Sequence, residues 1–132
     1  MKYIFTFLFF LVVLNVTGQK TDTVTVDSST KYAIASFYSK SLDSTKTATG
    51  EIFLNSKLTA ASNNYRLNTI VKVTNIRNGR TVIVRINDRM HPKMAKKGRI
   101  VDLSRAAARK LGFLSKGLTK VKVEVVPKKR KK

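Results

Sequence analysis

The chain has 132 residues, and its 27 lysines and arginines outnumber seven aspartates and glutamates, giving a formal charge of +20. One small domain fits this length. The absence of cysteine excludes disulfides, thiol nucleophiles, thiolate metal sites and a lipid anchor on cysteine, and a single histidine excludes a multi-histidine metal site. Such positive charge predicts a polyanionic partner or environment, for which nucleic acid, anionic lipid and acidic cell-wall polymers all qualify.

Residues 1–18 have the pattern of a signal peptide. Met1 and Lys2 precede an apolar run that ends at Leu14, and small residues before Gln19 offer a cleavage site after Gly18. The run is shorter than the roughly 20 residues that cross a bilayer as a helix, so the pattern favours export over a permanent anchor. An exported chain without tryptophan and with few clustered aromatics offers charge but no stacking platform, which makes nucleic acid the least favoured partner.

Residues 19–31 form a polar leader, and residues 32–126 carry the patterns of a mainly β domain. Strands are predicted at Tyr32–Tyr38, Ile70–Asn75, Thr81–Ile86, Ile100–Leu103 and Leu118–Val126. Asn78-Gly79 predicts a tight hairpin between the second and third of these, because both turn positions need positive φ. Long loops are expected at Ser39–Gly50 and Asn87–Gly98.

One short helix is predicted between Ser104 and Gly112. Ser104 is placed to cap the first amides, the alanines that follow favour helix, and Gly112 suits a left-handed end. Residues 127–132 form a basic tail, a run of like charge that is typical of a solvated segment. Such a tail either retains the protein on anionic envelope polymers or lipid, or only keeps it soluble.

Carboxylates are the remaining candidates for chemistry, since the sequence has no Gly-rich phosphate loop, Gly-x-Ser-x-Gly turn or EF-hand spacing. Three of them, Glu51, Asp88 and Asp102, lie where a loop meets a predicted element. Each also has a structural interpretation, as a strand end, a turn residue and a helix cap respectively. Composition alone favours the structural interpretation of all three.

Six segments resemble, in order and spacing, the rare lipoprotein A family of septal-ring lytic transglycosylases. They are Ala35–Tyr38, Thr47–Phe53, Leu58–Ser62, Val71–Arg80, Val84–Arg89 and Gly98–Ala108. The resemblance covers nearly all of residues 32–126 and implies an exported, six-stranded double-psi β-barrel. It also implies endolytic cleavage of peptidoglycan glycan strands, preferably those lacking stem peptides, to give 1,6-anhydro-muramyl ends without a metal or other cofactor.

By position, the resemblance implies that Glu51, in Thr-Ala-Thr-Gly-Glu, and Asp88, in Arg-Ile-Asn-Asp-Arg, are the catalytic acid/base pair. Ser62 stands where the family has a histidine, and a serine does not titrate near neutral pH. This difference keeps a second function open, that of a non-catalytic glycan-binding or wall-loosening module. The residues expected to bind substrate or support the pair are Ser62, Arg89, Asp102 and His91.

The implied reaction needs one acid to protonate the leaving oxygen and one base to accept a proton from the C6 hydroxyl that attacks the anomeric carbon. Because Arg85, Arg89 and Arg99 favour ionised carboxylates, burial or a second carboxylate must raise one pKa if the protein is an enzyme. We expect a monomer in the periplasm or cell envelope that binds glycan strands and anionic envelope polymers. A third function, that of a basic adaptor for envelope polyanions, stays open.

Overall fold

The computed structural model describes residues 30–128, so the predicted signal peptide, most of the polar leader and most of the basic tail lie outside the described residues. Six strands close into one barrel in the order β1-β5-β2-β4-β3-β6. They are β1 Thr30–Phe37, β2 Thr59–Ala61, β3 Ile70–Asn75, β4 Thr81–Asp88, β5 Arg99–Leu103 and β6 Thr119–Val125. The pairs β1/β5 and β2/β4 are parallel and the other four are antiparallel. The predicted mainly β, six-stranded barrel is confirmed.

Alternating side chains fill the barrel. In β6, Val121 and Val123 are fully buried, whereas the lysines beside them in sequence face outward. In β4, Val82 and Val84 point into the core while Ile83 between them is 53% exposed. Each fully buried valine or isoleucine side chain contributes roughly 1.5–3 kcal/mol to folding. The alternating patterns that predict β4 and β6 are therefore the patterns that build the core.

The hairpin between β3 and β4 is confirmed, but its turn is longer than the predicted Asn78-Gly79 pair. Residues 76–80 form the connection, and of that pair only Gly79 has a positive φ, +76°. The reason is that Asn78 also serves the neighbouring helix, since its Nδ2 donates to the carbonyl of Leu111 at 2.9 Å. The buried Nδ2 of Asn75 donates to the same carbonyl at 2.8 Å. The turn and the helix end are thereby tied together.

The predicted helix is confirmed as α2, Arg105–Leu111, which follows β5 directly. Ser104 Oγ accepts the amide of Ala107 at 3.2 Å, and Gly112 ends the helix with a φ of +76°. The buried residues of α2 close one side of the core. No helix within residues 30–128 has the length and apolar character needed to cross a membrane.

The expected loop at residues 87–98 contains a five-residue helix, α1 Pro92–Lys96, so the barrel carries two α-helices where one is predicted. His91 caps this helix, because its Nδ1 accepts the amide of Lys93 at 3.1 Å. Proline is well suited to the first position of a helix, where its missing amide costs nothing. A short 3-10 turn, Lys40–Leu42, also lies in the other predicted loop.

Candidate active site

One row of residues crosses four neighbouring strands of the barrel. Ala61 of β2 pairs with Asp88 of β4 on one side and with Asp102 of β5 on the other. Asp102 in turn pairs with Ser36 of β1. Because directly paired residues point to the same face of a sheet, two carboxylates flank a small alanine on one surface.

A β-bulge turns Asp88 onto this surface. Ala60 pairs with Ile86 but Ala61 pairs with Asp88, so Asn87 is an extra residue in β4. In a regular strand Asp88, two positions after Ile86, would face the core as Ile86 does. Bulges next to functional sites re-aim side chains in this way.

Three hydrogen bonds fix the carboxylate of Asp88. The hydroxyl of Tyr38 donates to Oδ2 at 2.6 Å, and the amides of Ala48 and Arg89 donate to Oδ1 at 2.9 and 2.8 Å. The ring of Tyr38 stacks on Phe53 with centroids 4.0 Å apart. Burial, followed by the bond to Asp88, raises the pKa of Tyr38, so its hydroxyl remains a donor at neutral pH.

Asp102 is the buried carboxyl of the row, with 8% of its surface exposed. Its Oδ1 accepts a hydrogen bond from Ser36 Oγ at 2.9 Å. Burial raises the pKa of Asp102 and the nearby charge of Asp88 adds to this, while Ser36 and Arg99 oppose it. This environment favours the protonated form of Asp102.

Glu51 has the opposite environment. Arg85 clamps it through two bonds, Nη1 to Oε1 at 2.7 Å and Nη2 to Oε2 at 2.6 Å, and Thr49 Oγ1 donates to Oε1 at 2.6 Å. These bonds, that of Arg85 first, lower the pKa of Glu51 to about 2. Asn68 Oδ1 accepts a further bond from Arg85 Nη1 at 2.9 Å and steadies the clamp. Glu51 is therefore ionised throughout the neutral range.

A single turn, residues 47–51, joins the two predicted catalytic carboxylates. The amide of Ala48 holds Asp88, and the hydroxyl of Thr49 holds Glu51. Arg85 precedes Asp88 by three residues in β4, so their Cα atoms are roughly 10 Å apart along the strand. The turn thus holds Glu51 against Arg85, three residues before Asp88 in β4, and the two carboxylates form no hydrogen bond with each other.

Ser62 is a buried structural residue. Its exposed surface is 0%, and its Oγ donates to the carbonyl of Ile100 at 2.7 Å and accepts the amide of Asn64 at 3.1 Å. Arg89 Nη1 donates to the carbonyls of Ser62 and Tyr65, both at 2.6 Å. The hydrogen bonds of Ser62 and Arg89 therefore stabilise the backbone that lies next to Asp88.

His91 is exposed and engaged in capping α1 through Nδ1. Within residues 30–128, no cluster of three or more histidine, aspartate and glutamate side chains has a metal-binding arrangement. Three residues that hold the carboxylates, Tyr38, Thr49 and Ser36, are not among those predicted from the sequence. All three lie inside or beside the segments that resemble the family, which is the signal that points to them.

Known proteins share this domain. Residues 30–123 match the profile of a family described as lytic transglycolase. An endolytic peptidoglycan transglycosylase RlpA of Pasteurella multocida is 53% identical over 93 residues, which cover 70% of this chain and 31% of that protein. The protein of the same name from Haemophilus influenzae is 42% identical over 96 residues, covering 73% and 32%. The chain thus spans about a third of the length of these relatives.

Solved structures share the barrel. The apo form of Clavibacter michiganensis expansin superposes with a TM-score of 0.59 at 22% identity, covering 77% of this chain and 52% of that one. A Streptomyces papain inhibitor gives a TM-score of 0.60 at 24% identity, covering 76% and 96%. At these identities the likeness concerns the fold alone, and it agrees with the predicted double-psi barrel. Since the family profile matches well over half of its length, the chain belongs to the lytic transglycolase family.

Proposed function

We propose that this domain is an endolytic lytic transglycosylase that cuts peptidoglycan glycan strands, preferably those lacking stem peptides, and leaves 1,6-anhydro-muramyl ends. The observation that carries the proposal is the contrast between two carboxylates beside one strand, Asp88 held by Tyr38 and Glu51 clamped by Arg85. Membership of the lytic transglycolase family and the names of the relatives support it.

The environments of the two carboxylates divide the chemical roles. With a pKa of about 2, Glu51 is not the acid, and its negative charge stabilises the positive anomeric carbon of the transition state. In its protonated form, Asp88 donates the proton to the glycosidic oxygen as the bond to the anomeric carbon breaks. The C6 hydroxyl of the same sugar attacks that carbon and returns its proton to Asp88. Asp88 is protonated again at the end of the reaction, and no water is consumed.

Tyr38 and Asp102 support Asp88 in this scheme. The Tyr38 hydroxyl keeps the carboxylate of Asp88 oriented toward the substrate. Asp102, whose pKa is raised by burial, holds a proton at higher pH than an exposed aspartate does. The site therefore contains, besides Asp88, a second carboxyl whose surroundings favour the protonated form.

Mass spectrometry of soluble products tests the proposal. The full chain is incubated with glycan strands purified after amidase treatment, which removes the stem peptides. We expect products that end in 1,6-anhydro-muramic acid. Reducing muramic ends would indicate hydrolysis instead and would contradict the transglycosylase assignment while leaving the substrate in place.

Ser62 favours one alternative, that of a non-catalytic glycan-binding or wall-loosening module. Its hydroxyl is buried and bonded to backbone groups, so this position supplies no titrating group to the site. A protein that retains glycan strands but releases no soluble product would support this alternative over the enzyme.

We further propose that the protein is exported and acts in the periplasm or cell envelope as a monomer, with residues 1–18 as its signal peptide. Residues 127–132 would then retain it on anionic envelope polymers. Intact mass measurement of the protein recovered from its host tests export directly. A chain that begins at Gln19 is expected, and a chain that still carries residues 1–18 would contradict the cleavage site.

A further inference from the structure

A basic cavity of about 360 Å³ lies beside α2, apart from the predicted catalytic carboxylates. Its lining combines three cations with one carboxylate. The lining residues are Lys40, Asp43, Asn55, Ser56, Arg105 and Arg109. Three other cavities on the barrel surface are lined by at most two cations each. The basic cavity therefore gathers more cationic side chains than these other three surface cavities do.

The two arginines converge on the basic cavity. Arg105 and Arg109 are four residues apart in α2, a spacing that puts both on one helix face. The guanidinium of Arg105 lies 5.0 Å from the ring centroid of Phe37, and its Nη1 donates to the carbonyl of Tyr38 at 3.5 Å. These contacts orient the group and use one of its five N–H donors. The remaining donors are available to a ligand.

The carboxylate of the basic cavity is already engaged. Asp43 Oδ1 accepts the amide of Asn55 at 2.6 Å. Asn55 in turn accepts the amides of Arg105 and Ala106, both at 2.9 Å, through its side chain and its carbonyl. Both ion pairs found among residues 30–128 lie elsewhere on the barrel. The basic cavity therefore presents a net positive charge through side chains, since the backbone amides beside it are occupied.

Tyr38 connects the basic cavity to the candidate active site. Its carbonyl accepts the bond from Arg105, and its hydroxyl donates to Asp88. Phe53, on which Tyr38 stacks, leads within two residues to Asn55 of the cavity lining. One tyrosine thus separates the basic cavity from the carboxylate that transfers the proton.

We propose that the basic cavity is a subsite for a carboxylate carried by a muramoyl residue of the bound glycan, an inference that rests on the proposed function. Guanidinium groups pair with carboxylates through parallel N–H···O bonds, which suits the two arginines. In a strand without stem peptides, the lactyl group of each muramoyl residue ends in a free carboxylate. In a peptide-bearing strand that group is a neutral amide, and the carboxylates belong to the stem peptide.

Binding to three glycan preparations tests the subsite. They are strands stripped by amidase, the same strands after carbodiimide coupling to methylamine, which makes each lactyl carboxylate a neutral amide, and peptide-bearing strands. We expect the full chain to bind stripped strands about tenfold more tightly than methylamidated strands, as the loss of one charge-assisted pair predicts. Tighter binding of peptide-bearing strands than of stripped strands would identify the stem peptide as the source of the carboxylate. Equal binding of stripped and methylamidated strands, with no gain for peptide-bearing strands, would overturn the subsite.

A matched pair of double variants separates the basic cavity from general charge. Lys40→Gln/Arg109→Gln removes one lysine and one arginine from the basic cavity, and Arg77→Gln/Lys116→Gln removes the same two charges from exposed positions outside it. We expect the cavity variant to lose about tenfold in affinity for stripped strands and nothing for methylamidated strands. The outer variant should keep the wild-type preference.

Thermal melting of both double variants checks that the barrel is intact. Equal losses of stripped-strand binding in the two variants would show that only net charge matters and would overturn the subsite. A wild-type chain that binds none of the three preparations would instead overturn the proposed function itself. The two failures are therefore distinguishable.

Discussion

The hydroxyl of Tyr38 donates to Oδ2 of Asp88 at 2.6 Å, and the ring of the same tyrosine stacks on Phe53. The stack fixes the position of the ring, and the ring fixes the position of the hydroxyl. Because the amides of Ala48 and Arg89 hold the other oxygen, the carboxylate of Asp88 has one orientation. Positioning of this kind allows a side chain to transfer a proton at a defined atom of the substrate.

Removing only the hydroxyl tests this relationship. In Tyr38→Phe the ring can still stack on Phe53, so we expect the fold to survive with a loss of about 1 kcal/mol in the free energy of unfolding. Turnover of stripped glycan should fall roughly tenfold or more with little change in KM, because Asp88 loses its orientation. Tyr32→Phe, at a position 69% exposed on the outer sheet, is the control. A Tyr38→Phe variant with wild-type kcat would show that the bond is only structural.

Neutralising Asp88 separates catalysis from binding. Asp88→Asn keeps the shape of the side chain but removes the group that transfers the proton, so kcat should fall roughly 100-fold or more. Binding to glycan strands should persist, as co-sedimentation with insoluble sacculi would show. Glu124→Gln, which removes a carboxylate from the outer sheet, should leave both quantities unchanged. If both variants and the wild type bind glycan and none releases product, the domain is a binding module.

The clamp between Arg85 and Glu51 predicts a pH dependence. The pKa of Glu51 is lowered from 4.5 to about 2, so the clamp stabilises the folded state above about pH 4.5, and this contribution disappears as the pH falls through about 2. In Arg85→Gln the main cause of the shift is gone, and the pKa of Glu51 should return toward 4.5. Carboxyl NMR titration measures the change directly.

The activity of Arg85→Gln should follow that titration. Activity that depends on ionised Glu51 should fall on the acid side at a higher pH in Arg85→Gln than in the wild type. Glu51→Gln is the matched control, because a glutamine cannot titrate. Adding Arg85→Gln to this variant should therefore not move the acid side of its pH–activity profile. An Arg85→Gln variant in which the pKa of Glu51 stays near 2 would show that Thr49 alone maintains the ionised state.

Local signals account for most of the predicted fold. The alternation of β6, the turn at Gly79 and the caps of α2 at Ser104 and Gly112 depend on neighbours in sequence, and each is present in the structure. Strand β2 is different, because Thr59–Ala61 is buried at all three positions and shows no alternation. It is a strand because β4 and β5 pair with it from both sides.

The candidate site depends on contacts between distant parts of the chain, which local patterns do not encode. Tyr38 is 50 residues from Asp88, and Ser36 is 66 residues from Asp102. The one-residue bulge at Asn87 decides which face Asp88 occupies, and no composition or periodicity indicates it. The family resemblance identifies Glu51 and Asp88, whereas the difference between their environments appears only in the folded barrel.

The position at which the family histidine is replaced yields the last prediction. Ser62→Ala removes the donor to the carbonyl of Ile100 and the acceptor for the amide of Asn64 in a buried region. Buried groups left without a partner cost about 1–3 kcal/mol, so urea denaturation should show a loss of that size in the free energy of unfolding. Ser115→Ala, at an exposed position in the turn after α2, is the control and should change stability little. Activity measured well below the melting temperature should stay near the wild-type value, because the hydroxyl of Ser62 bonds to backbone groups and to neither predicted catalytic carboxylate. A variant with unchanged stability and lost turnover would instead place Ser62 among the residues that act on the substrate.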